Sequence, residues 1–291
     1  MKISPRCPAC LLNRVYAEAK MSTDDEEKIK LAVGEALKIL AEEYPKGEIN
    51  ALIATKVHRK VYQVLEDEDP YREVKRRANQ ITLKHLAEID RIVSESEDSF
   101  RAAAKAAIIA NTFDYGVMGH EVNDMRFMDF FLEKFKESLR IDDLHEIREL
   151  CRGDVVYLTD NCGEIIVDTL FMREIKEICK RLTVVVRGKP VISDATYEDA
   201  ILAGIDKIAD EILTNGDGIG IIDSELPDET RERLNNSDII IAKGMANYEC
   251  LSGWNGKIAF LLTAKCKPVA ESIGVEVGDM VAMLRGDKHG A

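Results

Sequence analysis

The spacing of apolar positions changes near residue 150, and that change divides the chain. Before it, apolar residues recur every three or four positions over long stretches, the period of helices that bury one face. Thr23 and Glu26 have the spacing of a capping box and open a stretch whose apolar face runs through Ile29, Val33, Leu37 and Leu40. Pro45 and Gly47 end it. A second stretch carries Ile53, Val57, Val61 and Leu65 at four-residue intervals, and Asp69-Pro70 opens a third that continues past Ile81. Residues 100–110 form a short alanine-rich helix. Residues 124–139 then bring Met125, Phe127, Met128, Phe130 and Phe131 together at helical spacing, a stripe that reads as core filling.

From Gly153 the texture is different. Short apolar and β-branched runs appear at Val155-Val156-Tyr157-Leu158, Val184-Val185-Val186, Ile239-Ile240-Ile241 and residues 258–262, with helical patterns between them. Strands alternating with helices imply a mainly parallel sheet covered on both faces. The sequence therefore predicts an α/β protein: a helical N-terminal domain over residues 1–150, and a Rossmann-like three-layer α/β/α domain over 151–291. In such sheets ligands bind beyond the carboxyl ends of the strands.

Composition narrows the function. Hydrophobic residues make up 46% and charged residues 32% of 291, with no apolar run long enough to span a bilayer and no signal-peptide core at the start. The expectation is a soluble cytoplasmic protein with no membrane partner. A formal charge of −13 argues against nucleic acid, which requires a basic surface to displace counterions. Seven cysteines, an odd number, suit free thiols better than a disulfide framework, and only Cys7 and Cys10 have the spacing of metal ligands. One such pair supplies two ligands where a closed zinc site needs four. His58, His85 and His120 are expected as ordinary helix or loop residues, and the cysteine pair as part of an N-terminal helix with Pro8 in its first turn.

The strand ends hold the candidate chemistry. The first strand runs into Asp160-Asn161-Cys162-Gly163-Glu164, a carboxylate and a carboxamide side by side, oxygen ligands of the kind Mg²⁺ or Mn²⁺ prefers. Asp194 follows Asp160 by 34 residues, one strand–helix–strand unit, and can deliver a second carboxylate to the same edge. Each of these residues can equally cap the helix that follows it. Later strands end in Lys243-Gly244 and at Lys265, placing lysines where an anion would bind. The glycine-rich Gly216-Asp217-Gly218-Ile219-Gly220 is a poor nucleotide fingerprint because no clear helix follows it; it reads as a flexible loop beside the site.

Together these pieces resemble the metal-dependent damage-control phosphatases, a family that includes the acidic-residue methyltransferase-like protein. The likeness is to the archaeal branch with an N-terminal Cys-x-x-Cys. It rests on Cys7-Pro8-Ala9-Cys10, residues 108–114, the Asp160-Asn161-Cys162-Gly163-Glu164 motif, residues 192–196, Lys243-Gly244-Met245-Ala246-Asn247-Tyr248-Glu249 and residues 262–266, in that order along nearly the whole chain. The resemblance implies that Asp160, Asn161 and Asp194 hold a divalent cation (Mn²⁺, Mg²⁺, Co²⁺ or Ni²⁺). It further implies that Gly244, Asn247 and Lys265, with Lys243 alongside, bind phosphate, and that Glu164 lies near the substrate. Some relatives have an acidic residue where Met245 stands, so their substrate preferences do not carry over. Asp160 is open to two roles, ligand or nucleophile.

The activity so implied is hydrolysis of small phosphorylated metabolites, sugar phosphates or damaged phosphometabolites. Two rivals stand beside it. One is an adenosylmethionine-dependent carboxyl methyltransferase, which would need the glycine-rich loop as its cofactor site. The other is a metal-dependent metabolite-binding protein without turnover.

Overall fold

Three helices at the N-terminus share one apolar core: α1 (Cys7–Ser22), α2 (Glu26–Glu43) and α3 (Asn50–Leu65). The computed structural model describes residues 1–112 and 124–286; Phe113, Asp114, His120 and the Met125 side chain lie outside the described residues. Pro8 stands in the first turn of α1, where its missing N–H costs no helical bond. The capping box expected at Thr23 and Glu26 does not form. Asp25 caps α2 instead, accepting from the N–H groups of Glu27 (3.0 Å) and Lys28 (3.4 Å), while the Thr23 hydroxyl accepts from the Asp25 N–H. The buried face of α2 is correspondingly Ile29, Ala32, Ala36 and Leu40, and Leu37 is half exposed. On α3, Ile53, Val57, Val61 and Leu65 are all buried, as their spacing predicts.

The next helices, α4 (Arg72–Ser94), α5 (Ser99–Thr112), α6 (Asp124–Lys136) and α7 (Leu144–Leu150), turn their apolar sides to the sheet. Phe127 and Phe131 of α6 are buried in this core, as the aromatic stripe predicts. Helix α5 is buried along nearly its whole length, and its alanines let it lie close against α8 (Glu164–Lys176). A helix apolar on all sides belongs in an interior.

The sheet has seven strands among the described residues: β1 (Ile141–Asp142), β2 (Asp154–Leu158), β3 (Arg181–Val186), β4 (Glu211–Thr214), β5 (Ile239–Lys243), β6 (Ile258–Thr263) and β7 (Met280–Arg285). Their spatial order is β1-β7-β6-β5-β2-β3-β4, and every pairing is parallel except β6 with β7. Strand periodicity sorts the side chains onto two faces. Val155, Tyr157, Val184, Ile239, Ile241 and Leu261 face the layer that holds α4, α5 and α8. Val156, Leu158, Val185, Ile240, Phe260 and Leu262 face α10 (Asp228–Asn236), α11 (Gly244–Leu251) and α12 (Lys267–Ile273). This is the expected α/β/α sandwich with a mainly parallel sheet.

The chain steps from β2 outward to β3 and β4, then returns to place β5 on the other side of β2. The reversal opens a crevice at the carboxyl ends of β2 and β5, the position where doubly wound sheets bind ligands.

Candidate active site

Asp160 and Asn161 leave the end of β2 at that crevice. Gly163, with φ +78°, turns the chain into α8, and its N–H donates to Asn79 Oδ1 at 2.6 Å. No side chain caps α8, and the short helix α9 (Tyr197–Leu202) is capped by a Thr196–Asp199 box. Asp160, Asn161 and Asp194 thus serve no cap.

They are brought together by a lacing of two strand ends. Asn161 and Asp194 pair as an isolated antiparallel bridge. The Cys162 N–H donates to the Ser193 carbonyl and the Ala195 N–H to the Asp160 carbonyl, each at 2.8 Å. Ile192, two residues before Asp194, adopts φ +42°, a left-handed conformation that costs a β-branched residue on the order of 1–3 kcal/mol. Its N–H is held by the Tyr62 hydroxyl of α3 at 2.9 Å. Strain at this point is paired with anchoring by the helical bundle.

Around these backbones lies a buried polar network. Asp160 Oδ2 accepts from Asn161 Nδ2 (2.7 Å) and Asn111 Nδ2 (3.0 Å). Asn161 Oδ1 accepts from the Ser193 hydroxyl at 2.8 Å. Asp194 Oδ2 accepts from Arg187 Nε at 2.5 Å, and Arg187 Nη2 lies 3.8 Å from Asp160 Oδ1 with no hydrogen-bond partner of its own. Burial pushes the Asp160 carboxyl well above the usual carboxylate range, and Glu164 and Asp194 push it further. Burial likewise raises Asp194, against the pull of Arg187. An excess of buried negative charge here is what a bound cation would relieve.

These groups open onto a cavity of about 420 Å³, room for a small metabolite. Asp160, Asn161, Asp194 and Lys265 line it from the sheet side, with Met245 beside them. The helical bundle closes the opposite side through Cys7, Cys10, Arg14 and His58. All seven cysteines are free thiols.

Lys243 is placed differently from the sequence expectation. The resemblance put it beside a phosphate, but its ammonium is fully buried among Glu164 (2.6 Å), Asp168 (2.5 Å) and the Ala107 carbonyl (3.1 Å). Strand alternation explains this. Lys243 follows Ile239 and Ile241 on the face that turns toward α5 and α8, away from the cavity. Burial works against its charge, yet Asp168 and Glu164 outweigh it and hold the lysine above its ordinary value. Glu164 is correspondingly an inner residue, joined to Lys243 and to Asn111 (2.9 Å). Asn247 holds the Thr159 and Lys243 carbonyls with its Nδ2, bracing the ends of β2 and β5. Of the phosphate-binding candidates, Lys265 alone borders the cavity, and Gly244 lies directly against Asp160.

The glycine-rich loop is packed rather than open. Asn215 Nδ2 holds the carbonyls of Gly218 and Gly220, the Ile219 N–H donates to Thr55 Oγ1 at 3.0 Å, and a Cβ at Gly220 would meet Cys250 Sγ at 2.8 Å. After it comes a single 3₁₀ turn at Asp223–Glu225 instead of a helix, so the nucleotide-binding context is absent there.

Three further residues hold this network together without being marked by the sequence: Asn111, Asp168 and Arg187. Asn111 lies in an alanine-rich helix that reads as packing, and Arg187 is one of many arginines at an element end. Neither residue type nor spacing marks them.

A hard-cation site could draw on Asp160, Asn161 and Asp194. Among the described residues no three His, Cys, Asp or Glu side chains group as metal ligands, so such a site would depend on the Asn161 carboxamide and on water. An all-oxygen donor set of two carboxylates and an amide suits Mg²⁺ or Mn²⁺, which retain water in their shells.

The fold and this site define a three-layer α/β protein with an acidic crevice at the sheet's switch point. Residues 3–281 match the damage-control phosphatase ARMT1-like domain, and the chain belongs to that family. A damage-control phosphatase of Archaeoglobus fulgidus is 61% identical over 98% of this chain and 99% of its own length. One from Pyrococcus horikoshii is 34% identical over 97% and 98%. The crystal structure of a DUF89 family protein from Pyrococcus horikoshii superposes with a TM-score of 0.90 at 32% identity, covering 97% of this chain and 99% of that one. No helix among the described residues is long and apolar enough to cross a membrane.

Proposed function

We propose that this chain is a divalent-metal-dependent phosphatase acting on small phosphorylated metabolites, damaged ones among them. The observation that carries the proposal is the convergence of Asp160, Asn161 and Asp194 on one cavity that Lys265 also lines. Oxygen ligands for a cation and an ammonium for an anion are what a phosphate ester requires of a site. The names of the Archaeoglobus and Pyrococcus relatives, damage-control phosphatases, support the phosphatase part of it.

Asp160, Asn161 and Asp194 would hold Mn²⁺, Mg²⁺, Co²⁺ or Ni²⁺, and such an ion supplies charge stabilisation to the phosphoryl oxygens and an activated water. The chain's own residues do the rest. Lys265 draws the phosphate group to the cavity floor. Arg187 fixes Asp194 through Nε and tempers the charge on Asp160, while Asn111 and Asn161 hold Asp160 Oδ2. Apolar groups of Leu11, Ala54 and Ile219 surround the remainder of the substrate and limit water.

Purified protein supplied with each of the four metals should release inorganic phosphate from small sugar phosphates or an aryl phosphate, and EDTA should abolish release. Labelled methyl groups should not pass from adenosylmethionine to any carboxylate in the same preparation. Ester binding without release across a broad panel would make the chain a binding protein and end the enzymatic reading.

A further inference from the structure

Helix α3 carries a row of polar residues through its otherwise apolar face: Thr55, His58 and Tyr62. Their spacing places them on one side of the helix. Thr55 Oγ1 holds the Ile219 N–H and the Tyr62 hydroxyl holds the Ile192 N–H, so the residues flanking His58 anchor both loops that frame the cavity. His58 itself borders the cavity. Its Nδ1 lies 2.9 Å from both carboxylate oxygens of Glu18 on α1.

Both members of this pair are buried, Glu18 at 0% and His58 at 1% exposure. A buried carboxylate costs several kcal/mol unless its charge is balanced, and well-packed apolar residues in the same space are often as stable or more so. The other buried residues on this part of α3, Ala54, Val57, Val61 and Leu65, are apolar. Packing alone gives no reason for a histidine–carboxylate pair at this point. A carboxylate on Nδ1 fixes the ring so that Nδ1 carries a proton and Nε2 is the nitrogen left for exchange.

We infer that His58 is a further catalytic residue, a general acid that protonates the leaving-group oxygen, with Glu18 as its positioning residue; the inference rests on the phosphatase reading. As the P–O bond of the ester breaks, its electron pair stays with the alkoxide oxygen, which takes the Nε2 proton of the imidazolium. His58 is left neutral, with Nδ1–H still on Glu18. Water adds to phosphorus, and the proton it releases restores the imidazolium. The sum is ester and water giving alcohol and inorganic phosphate.

A general acid matters most when the leaving group is a poor one, and its contribution is about 10²–10⁴-fold. Turnover of glycerol phosphate, with an alkoxide leaving group, is therefore compared with that of p-nitrophenyl phosphate, whose phenolate leaves unaided. Both are measured with Mn²⁺ for wild type, His58→Asn and Glu18→Gln. The expected result is a loss of about 10²-fold or more in kcat on glycerol phosphate for His58→Asn, against a small change on the aryl ester. Glu18→Gln, which keeps the shape and can still accept a hydrogen bond, should lose in the same direction, and it carries the comparison should His58→Asn fail to fold. An equal drop on both esters, or none on either, assigns the pair to packing and overturns the inference. Wild-type turnover of the aryl ester alone also overturns it, since the acid would then be doing nothing. If wild type releases phosphate from neither ester with any of the four metals, the phosphatase reading itself falls, and this inference with it.

Discussion

Gly244 stands so close to Asp160 that a Cβ on it would lie 1.9 Å from Oδ2 and 2.3 Å from Cγ of the carboxylate. The two residues sit at the ends of β5 and β2, on either side of the crevice where the strand order reverses. Gly244 also has φ +73°, a region that side-chain-bearing residues rarely adopt. The absence of a side chain at 244 is therefore a condition for the position of the carboxylate. Gly244→Ala should displace Asp160, and a misplacement of about 1 Å costs on the order of 10²-fold in turnover. Phosphate release and Mn²⁺ titration of the variant check this. Turnover close to wild type would show that Asp160 need not occupy the observed position.

Asp194 and Asn161 should separate when each is replaced by alanine. Both substitutions remove a proposed metal ligand, so both should lose Mn²⁺ affinity by calorimetry, as should Asp160→Ala. Asp194→Ala, however, also strips Arg187 of its 2.5 Å partner, leaving a guanidinium at 1% exposure with the Asp160 carboxylate 3.8 Å away. Breaking a buried pair from one side costs about 3–5 kcal/mol. Urea denaturation should therefore show Asp194→Ala strongly destabilised and Asn161→Ala only mildly so. Unchanged Mn²⁺ binding in the triple variant would remove all three from the metal site.

The two lysines named as phosphate ligands should behave in opposite ways. Lys243→Met leaves Glu164 and Asp168 buried without their cation, which should lower stability by about 3–5 kcal/mol and shift the urea midpoint accordingly. Lys265→Ala should leave that midpoint nearly unchanged and raise KM for phosphate esters. The reverse pattern would return Lys243 to the cavity.

How much of this was legible in the sequence follows from burial. Strands β2, β3, β5 and β6 are covered on both faces, so their apolar runs are continuous and visible in the sequence. Strand β4 is an edge with every residue half-buried and β1 is two residues long, so neither carries such a run. The same logic applies to the site. Asp160, Asn161, Asp194 and Lys265 follow clear strands, and all four border the cavity. Lys243 reads as a loop residue until the alternation of Ile239 and Ile241 is extended by one step, which turns it away from the cavity. His58 offered no signal, since its partner Glu18 is 40 residues away on another helix.

Cys7 and Cys10 border the cavity, yet neither belongs to a metal-ligand group among the described residues. Burial pushes the Cys7 thiol up, which disfavours the thiolate form that binds metals. Replacing both by serine should leave metal-dependent turnover largely intact and change stability by no more than about 0.5 kcal/mol. Activity assays and thermal melts check this, and complete loss of turnover in a folded variant would contradict it.

Asp168 gives the metal-free protein a distinctive response to pH. Burial lifts its carboxyl from 3.8 to about 7, even though Lys243 pulls the other way. The folded state then retains a proton that the unfolded state has already released at intermediate pH. Stability changes with pH in proportion to protons bound by the unfolded state minus those bound by the folded state, and here that difference is negative. The contribution of Asp168 is thus fully present below its ordinary carboxylate range and is lost as pH climbs toward 7, after which it levels off. Asp168→Asn cannot titrate and should remove that slope while keeping a neutral, similarly shaped side chain beside Lys243. Unfolding free energies from urea titrations at pH 5, 6, 7 and 8 should therefore decline for wild type between 5 and 7 more steeply than for Asp168→Asn. The two proteins should differ least at the acid end, where the wild-type carboxyl is protonated. Parallel pH profiles would mean that Asp168 is ionised throughout, held as a full ion pair by Lys243.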